Sequence, residues 1–149
     1  MSQLYLLRHG EAELAAAHDE MRRLTDRGVQ QVRVAASALP DSVTALYFSP
    51  YVRAVESARA VSETRAFRSE SSAPWLVPDA DLSDTLAQLA MLSGQDTLLV
   101  THNPLVTYLA AALCDEPAPA VTFGTGALAQ LTPASGDDWL PGCMTFRWL

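Results

Sequence analysis

Cysteine is scarce, with only Cys114 and Cys143 in 149 residues. Their spacing fits no metal or redox motif, and nothing implies a disulfide between them, so two reduced thiols in a cytosolic protein are expected. Long apolar runs are also missing. No stretch approaches 18 uninterrupted apolar residues, which argues against a membrane span, and Arg8 and His9 interrupt the N-terminal apolar run too early for a secretory signal. Positive charge is in deficit, with 10 Lys and Arg against 17 Asp and Glu and a net charge of -7. That balance argues against broad electrostatic binding to nucleic acid or an anionic membrane, so an anionic ligand has to be captured by a local cluster. There is no internal repeat, heptad seam or low-complexity tract.

What is present reads as one α/β domain over residues 1–149, long enough to hold a core without staples. Leu4 to Leu7 is a short apolar run that ends in Arg8, His9 and Gly10, and it predicts a buried strand. Glu11 to Arg23 is polar and alanine-rich without a period, so a loop with at most a helical turn is expected. Thr25 caps a helix whose Val29, Val32, Ala36 and Leu39 share a face, ended by Pro40. Thr44 to Ser49 predicts a strand, and Pro50 opens a helix through about Glu63, its turns marked by Val52, Val55 and Ala58 or Arg59. Thr64 to Pro78 is loosely organised, with Trp75 to Val77 a weak strand candidate. Asp81 to Leu92 predicts a helix capped by Ser83 and closed by Gly94. Thr97 to Thr101 is a strong buried strand that stops at His102, and the following helix stacks Leu105, Leu109 and Leu113; apolar residues nearly encircle it, predicting a central position. Val121 to Leu131 and Met144 to Leu149 add two strands, antiparallel because no helix separates them. The alternation predicts a three-layer domain with a mostly parallel central sheet flanked by helices.

Three strand-to-helix junctions carry polar residues that such a sheet would deliver to one edge: Arg8 with His9, Arg53, and His102. Taken singly, each has an ordinary structural use as a salt bridge, a solvated helix residue or a buried, satisfied histidine. Together they make an anion pocket, since two guanidiniums suit phosphate oxygens and helix N-termini near Pro50 and Pro104 add backbone donors. Cations around His9 disfavour its protonated form, leaving a lone pair able to attack phosphorus, while His102 can donate to the oxygens as charge spreads over them. No metal or other cofactor is called for.

Arg8-His9-Gly10, then Ser49-Pro50-Tyr51-Val52-Arg53-Ala54, then Thr101-His102 resemble the three signatures of the histidine phosphatase superfamily, also called phosphoglycerate mutase-like. The resemblance spans nearly the whole chain and implies that fold. It also implies that His9 becomes phosphorylated, that Arg8, Arg53 and His102 hold the phosphoryl group, and that water regenerates the enzyme. Within the superfamily the chain most resembles the SixA-type phosphohistidine phosphatases, through Arg22 before Leu24-Thr25 and Gly28, His102-Asn103-Pro104-Leu105-Val106, and Phe123 to Ala127. In such proteins Arg22 is an additional phosphate contact. Arg23 stands where proline is usual and Ser57 where threonine is common; neither change removes a catalytic group.

Many relatives carry a glutamate in a long insertion, acting as acid for an alcohol leaving group. Here about 35 residues separate the second helix from the strand at Thr97, which leaves little room for a lid. Glu11, Asp79, Asp81 and Asp84 are the available carboxylates, and the sequence does not choose among them. An imidazole leaves with a conjugate-acid pKa of roughly 6.5, against roughly 15.7 for hydroxide, so an ester needs up to ~12 kcal/mol more help. An open site without a firm acid therefore suits a P–N bond on another protein. The expected substrate is a phosphohistidine on a phosphotransfer domain or phosphocarrier protein. A small-molecule phosphomonoesterase for sugar phosphates or nucleotides is the alternative. A phosphohistidine-binding module without catalysis stands third, because a pure binder has no need of the nucleophile.

Overall fold

A computed structural model of the chain describes residues 2–92, 94–114, 122–136 and 138–149. Six strands form one mixed sheet: β1 (Leu4–Arg8), β2 (Ala45–Phe48), β3 (Ser69–Ser72), β4 (Thr97–Thr101), β5 (Leu128–Pro133) and β6 (Met144–Trp148). Their spatial order is β3-β2-β4-β1-β5-β6. The first four run parallel, while β5 is antiparallel to β1 and β6 antiparallel to β5. The expected start of the fifth strand at Val121 lies outside the described residues.

The helices are α1 (Asp26–Ser37), α2 (Val52–Ser62), α3 (Leu82–Ala90) and α4 (Leu105–Leu113). Strand periodicity divides the core between the two faces of the sheet. Tyr5 and Leu7 of β1 pack with Val32 and Ala36 of α1 and with Ala54, Ala58 and Val61 of α2. Leu4 and Leu6 point to the other face, where Leu89 of α3 and Val106, Leu109 and Leu113 of α4 lie. Burial on both faces is why β1 and β4 are almost uninterrupted apolar runs.

Several expectations need correction. Trp75 to Val77 is not a strand; Pro74–Leu76 forms a 3-10 turn, consistent with a proline in its first residues. The strand of that region is β3, four exposed polar residues held on the sheet edge by backbone pairing with β2. The cap of α3 is Asp81, whose side chain accepts the Ser83 N–H at 2.8 Å, and Ser83 is inside the helix. Helix α4 lies in an outer layer, with Tyr108 56% exposed, so its apolar girdle is wider than the face it buries. The stripe that α2 buries is Arg53, Ala54, Ser57, Ala58 and Val61; Val52 and Val55 are only half-buried. Alanines let this helix approach the sheet closely, and Arg53 and Ser57 are the polar residues of its buried stripe.

Candidate active site

The strands that carry the three junctions, β2, β4 and β1, are adjacent and parallel, so their C-terminal ends meet at one edge. His9 follows β1, Arg53 lies in the first turn of α2 after β2, and His102 follows β4. The structure brings them together. The His9 and His102 rings are 5.0 Å apart between centroids, and Arg53 Nε is 3.3 Å from His9 Nε2. Both histidines and Arg53 are at most 5% exposed.

Hydrogen bonds determine which ring nitrogen carries the proton. His9 Nδ1 lies 2.7 Å from the Gly10 carbonyl, which can only accept, so Nδ1 donates and Nε2 keeps its lone pair. The long Arg53 Nε–H contact faces that lone pair. Burial lowers the His9 pKa most; the Arg53, Arg8 and Arg22 charges add to this against the opposing Gly10 hydrogen bond, and the result is about 4. Burial therefore leads, with the cations contributing after it.

His102 is held from the opposite side. Its Nε2 is 2.7 Å from Ser49 Oγ, which already accepts the Tyr51 N–H at 3.2 Å. The single hydroxyl proton of Ser49 has one acceptor among its partners, His102 Nε2, so Ser49 donates and His102 bears its proton on Nδ1. That Nδ1 is buried without a partner. Burial first, then the neighbouring His9, Arg53 and Arg8, depress the His102 pKa to about 2. His102 is thus a neutral ring with one unused donor. Arg8 is similar: its NH1 donates to the Phe123 carbonyl at 2.9 Å, and its buried Nε has no partner. Arg8 Nε and His102 Nδ1 are thus two buried polar atoms without a partner among the described residues.

Backbone contacts fix this geometry. A Cβ on Gly10 would lie 2.3 Å from the Gly28 carbonyl oxygen, and one on Gly28 would lie 2.1 Å from that of Glu11. The turn after β1 therefore rests directly on the first turn of α1. Ser57 ties the same turn to α2, accepting the Gly10 N–H at 3.1 Å and donating to the Arg53 carbonyl at 2.7 Å. Thr25 caps α1 through the Gly28 N–H at 3.0 Å, as expected.

Arg22 sits on the rim. Its Nε donates to the Glu13 carbonyl at 2.5 Å, and its NH1 meets Asp19 Oδ1 at 3.2 Å. Of the four carboxylates considered from sequence, none bonds to either histidine among the described residues. Burial first, and then nearby Asp79, raise the pKa of Tyr51, whose ring packs on His102 at 5.1 Å between centroids. Glu11 accepts from Thr25 at 2.9 Å and pairs with Arg27 at 3.6 Å, Asp81 caps α3, and Asp79 and Asp84 are exposed. The carboxylate that does reach the pocket arginines is Asp19, which sequence reasoning missed inside a loop without periodicity. Its one signal was the Asp19 and Arg22 spacing within a turn. Ser49 and Ser57 were likewise unassigned. Among the described residues, no group of three or more His, Cys, Asp or Glu is placed to hold a metal ion.

The family model for the histidine phosphatase superfamily (branch 1) matches residues 4–73. The chain is 32% identical to the phosphohistidine phosphatase SixA of Escherichia coli (strain K12), over 98% of this chain and 91% of that one. The chain belongs to the histidine phosphatase superfamily. A SixA homolog of Haemophilus influenzae is 29% identical, with 86% of each chain covered. The solved structure of the protein histidine phosphatase SixA complexed with tungstate superposes with a TM-score of 0.84 at 31% identity, over 98% of this chain and 94% of that one. The resemblance to this superfamily and the single three-layer domain of its fold are therefore as expected. Arg23, where proline is usual, pairs with Glu56 of α2 at 3.0 Å and so holds the rim loop by an ion pair.

Proposed function

We propose that this chain is a phosphohistidine phosphatase whose single domain, residues 1–149, transfers a phosphoryl group to His9 and then to water. The observation that carries the reading is the buried His9 Nε2 lone pair, oriented by the Gly10 carbonyl and faced by Arg53 Nε, beside unused donors on Arg8 and His102. His9 attacks phosphorus in line, while Arg8, Arg53 and His102 bind the three equatorial oxygens and stabilise their spreading charge. A phosphate oxygen takes the Arg53 Nε–H, which releases the lone pair for attack. Arg22 adds a further positive charge at the rim. Phosphorylated His9 is an imidazolium whose Nδ1–H remains on the Gly10 carbonyl. Water then adds to phosphorus, the P–N bond breaks with its electron pair returning to Nε2, and dihydrogen phosphate departs.

The near relatives named phosphohistidine phosphatase support a P–N substrate. The partner is a phosphohistidine-bearing phosphotransfer domain or phosphocarrier protein, met in the cytoplasm. Among the described residues, no helix is long and apolar enough to cross a membrane. The test is phosphate release from a phosphohistidine protein beside a panel of sugar and nucleotide monoesters. Release from the phosphohistidine substrate is expected, falling by at least roughly 10³-fold in His9→Ala. Preference for a monoester would overturn the reading.

A further inference from the structure

Asp19 opens the 3-10 turn Asp19–Met21 in the rim loop. Its backbone carbonyl accepts Arg53 NH1 at 2.7 Å and its Oδ2 accepts Arg53 NH2 at 3.1 Å, while Oδ1 meets Arg22 NH1 at 3.2 Å. The outer end of the Arg53 guanidinium is thus taken by Asp19, and its inner Nε faces His9. Asp19 leaves 58% of its side chain exposed where that of Arg53 leaves 6%, so the carboxylate stands at the mouth, one guanidinium outward from the nucleophile. The Arg22 hydrogen bond foremost, with Arg53 behind it, keeps Asp19 below the usual carboxylate range, so it is ionised near neutral pH and is no proton donor.

A fixed negative charge at the mouth of an anion pocket opposes a phosphoryl dianion and opposes still more an ester, whose leaving oxygen gains negative charge. It favours a leaving group that arrives as a cation. A phosphohistidine protonated on its second ring nitrogen is such a group, and its departing atom lies on the outward side of phosphorus, opposite His9. We propose that Asp19 accepts the N–H of the substrate's leaving imidazolium and thereby selects P–N over P–O substrates. The step balances without an acid. The Nε2 to phosphorus bond forms, the substrate P–N bond breaks with its pair kept by the leaving nitrogen, and the proton already on the other nitrogen makes that imidazole neutral. Two rings then exchange a phosphoryl group, each with its distal N–H on an oxygen: the Gly10 carbonyl for His9 and the Asp19 carboxylate for the substrate.

This inference rests on the phosphatase reading above, and one experiment separates the two. Wild type, Asp19→Asn and Asp19→Glu are assayed on phosphoimidazole and on 4-nitrophenyl phosphate, and the ratio of the two kcat/KM values is followed. Asp19→Asn retains an oxygen for the arginines and loses the charge. Its expected effect is a loss of about 10- to 100-fold on phosphoimidazole and a few-fold gain on the ester, so the ratio collapses. Asp19→Glu keeps the charge and recovers part of the ratio. An unchanged or increased ratio in Asp19→Asn overturns the inference, including the case of equal loss on both substrates, which would mark Asp19 as only a support for Arg53 and Arg22. Wild type that hydrolyses the ester but releases no phosphate from phosphoimidazole or a phosphohistidine protein would instead overturn the phosphatase reading, and the inference with it.

Discussion

His9 and His102 are 5% and 1% exposed, and each ring has a fixed partner that sets its tautomer. Asp19, which holds Arg53, and Arg22, which holds Asp19, lie in a loop between β1 and α1 where Leu14 is 93% exposed and Met21 is 52% exposed. The floor of the site is a product of the sheet, and its rim is a product of a few side-chain contacts. Charge stabilisation during phosphoryl transfer benefits from donors that do not reorganise, and only the floor supplies them. Discrimination between leaving groups acts further out, where a single carboxylate can be exchanged without disturbing the core.

Substitutions can break this contrast. The largest expected effect on the floor comes from Arg53→Lys, which keeps a charge but loses the fork that joins His9 to Asp19; kcat/KM should fall by about 10²- to 10³-fold. A loss below tenfold would mean that charge alone suffices there. Ser49→Ala should cost about tenfold by freeing His102 to put its proton on Nε2, away from the position of its unused donor. Nitrogen NMR of the His102 ring is the direct check: Nδ1 is expected as the protonated nitrogen in wild type, and Nε2 in that place would refute the assignment. Ser49→Ala, which touches no rim contact, should lower phosphoimidazole and ester hydrolysis alike, leaving unchanged the ratio that Asp19→Asn alters.

A last prediction concerns pH. His9, at about 4, should be about nine-tenths neutral at pH 5, so its ring titrates far below the ordinary 6.5. An NMR midpoint near 6.5 would show that the floor is wetter than described. The sign for stability follows from the same shift. Because the folded pKa lies below the unfolded one, the unfolded chain takes up the proton first, and stability falls as pH drops from about 6.5 towards about 4. For His9 that amounts to about 2 kcal/mol at pH 5, and His102, depressed further, adds a comparable loss, so denaturant titration at pH 7 and pH 5 reads the two together.

The sequence made the floor legible because the same residues that build it also build the fold. Leu4 to Leu7 and Leu98 to Val100 are apolar on both faces, so their status as central strands is evident, and the polar residues that end them stand out. The rim had no such frame. Asp19 sits in a stretch where burial imposes no period, and its importance comes from Arg53, 34 residues away. Edge strand β3 was illegible for a related reason: Ser69, Glu70, Ser71 and Ser72 bury nothing and are held by backbone pairing alone. In α2 the valines drew attention to the wrong face, because the buried stripe includes Arg53 and Ser57, which chemistry rather than hydrophobicity keeps inside.

The contact between Gly10 and Gly28 works as a mechanical gauge. No side chain lies between the turn that bears His9 and the helix behind it, so the spacing of the two backbones has no adjustable part. An alanine at either position acts as a wedge, and the neighbouring peptide carries the displacement straight to His9. Neither wedge can be relieved by trimming a neighbour, since the obstacles are the carbonyls of Gly28 and Glu11 and not removable side chains. Libraries meant to retune this enzyme therefore have free play around the rim, while these two positions hold the machine's zero setting.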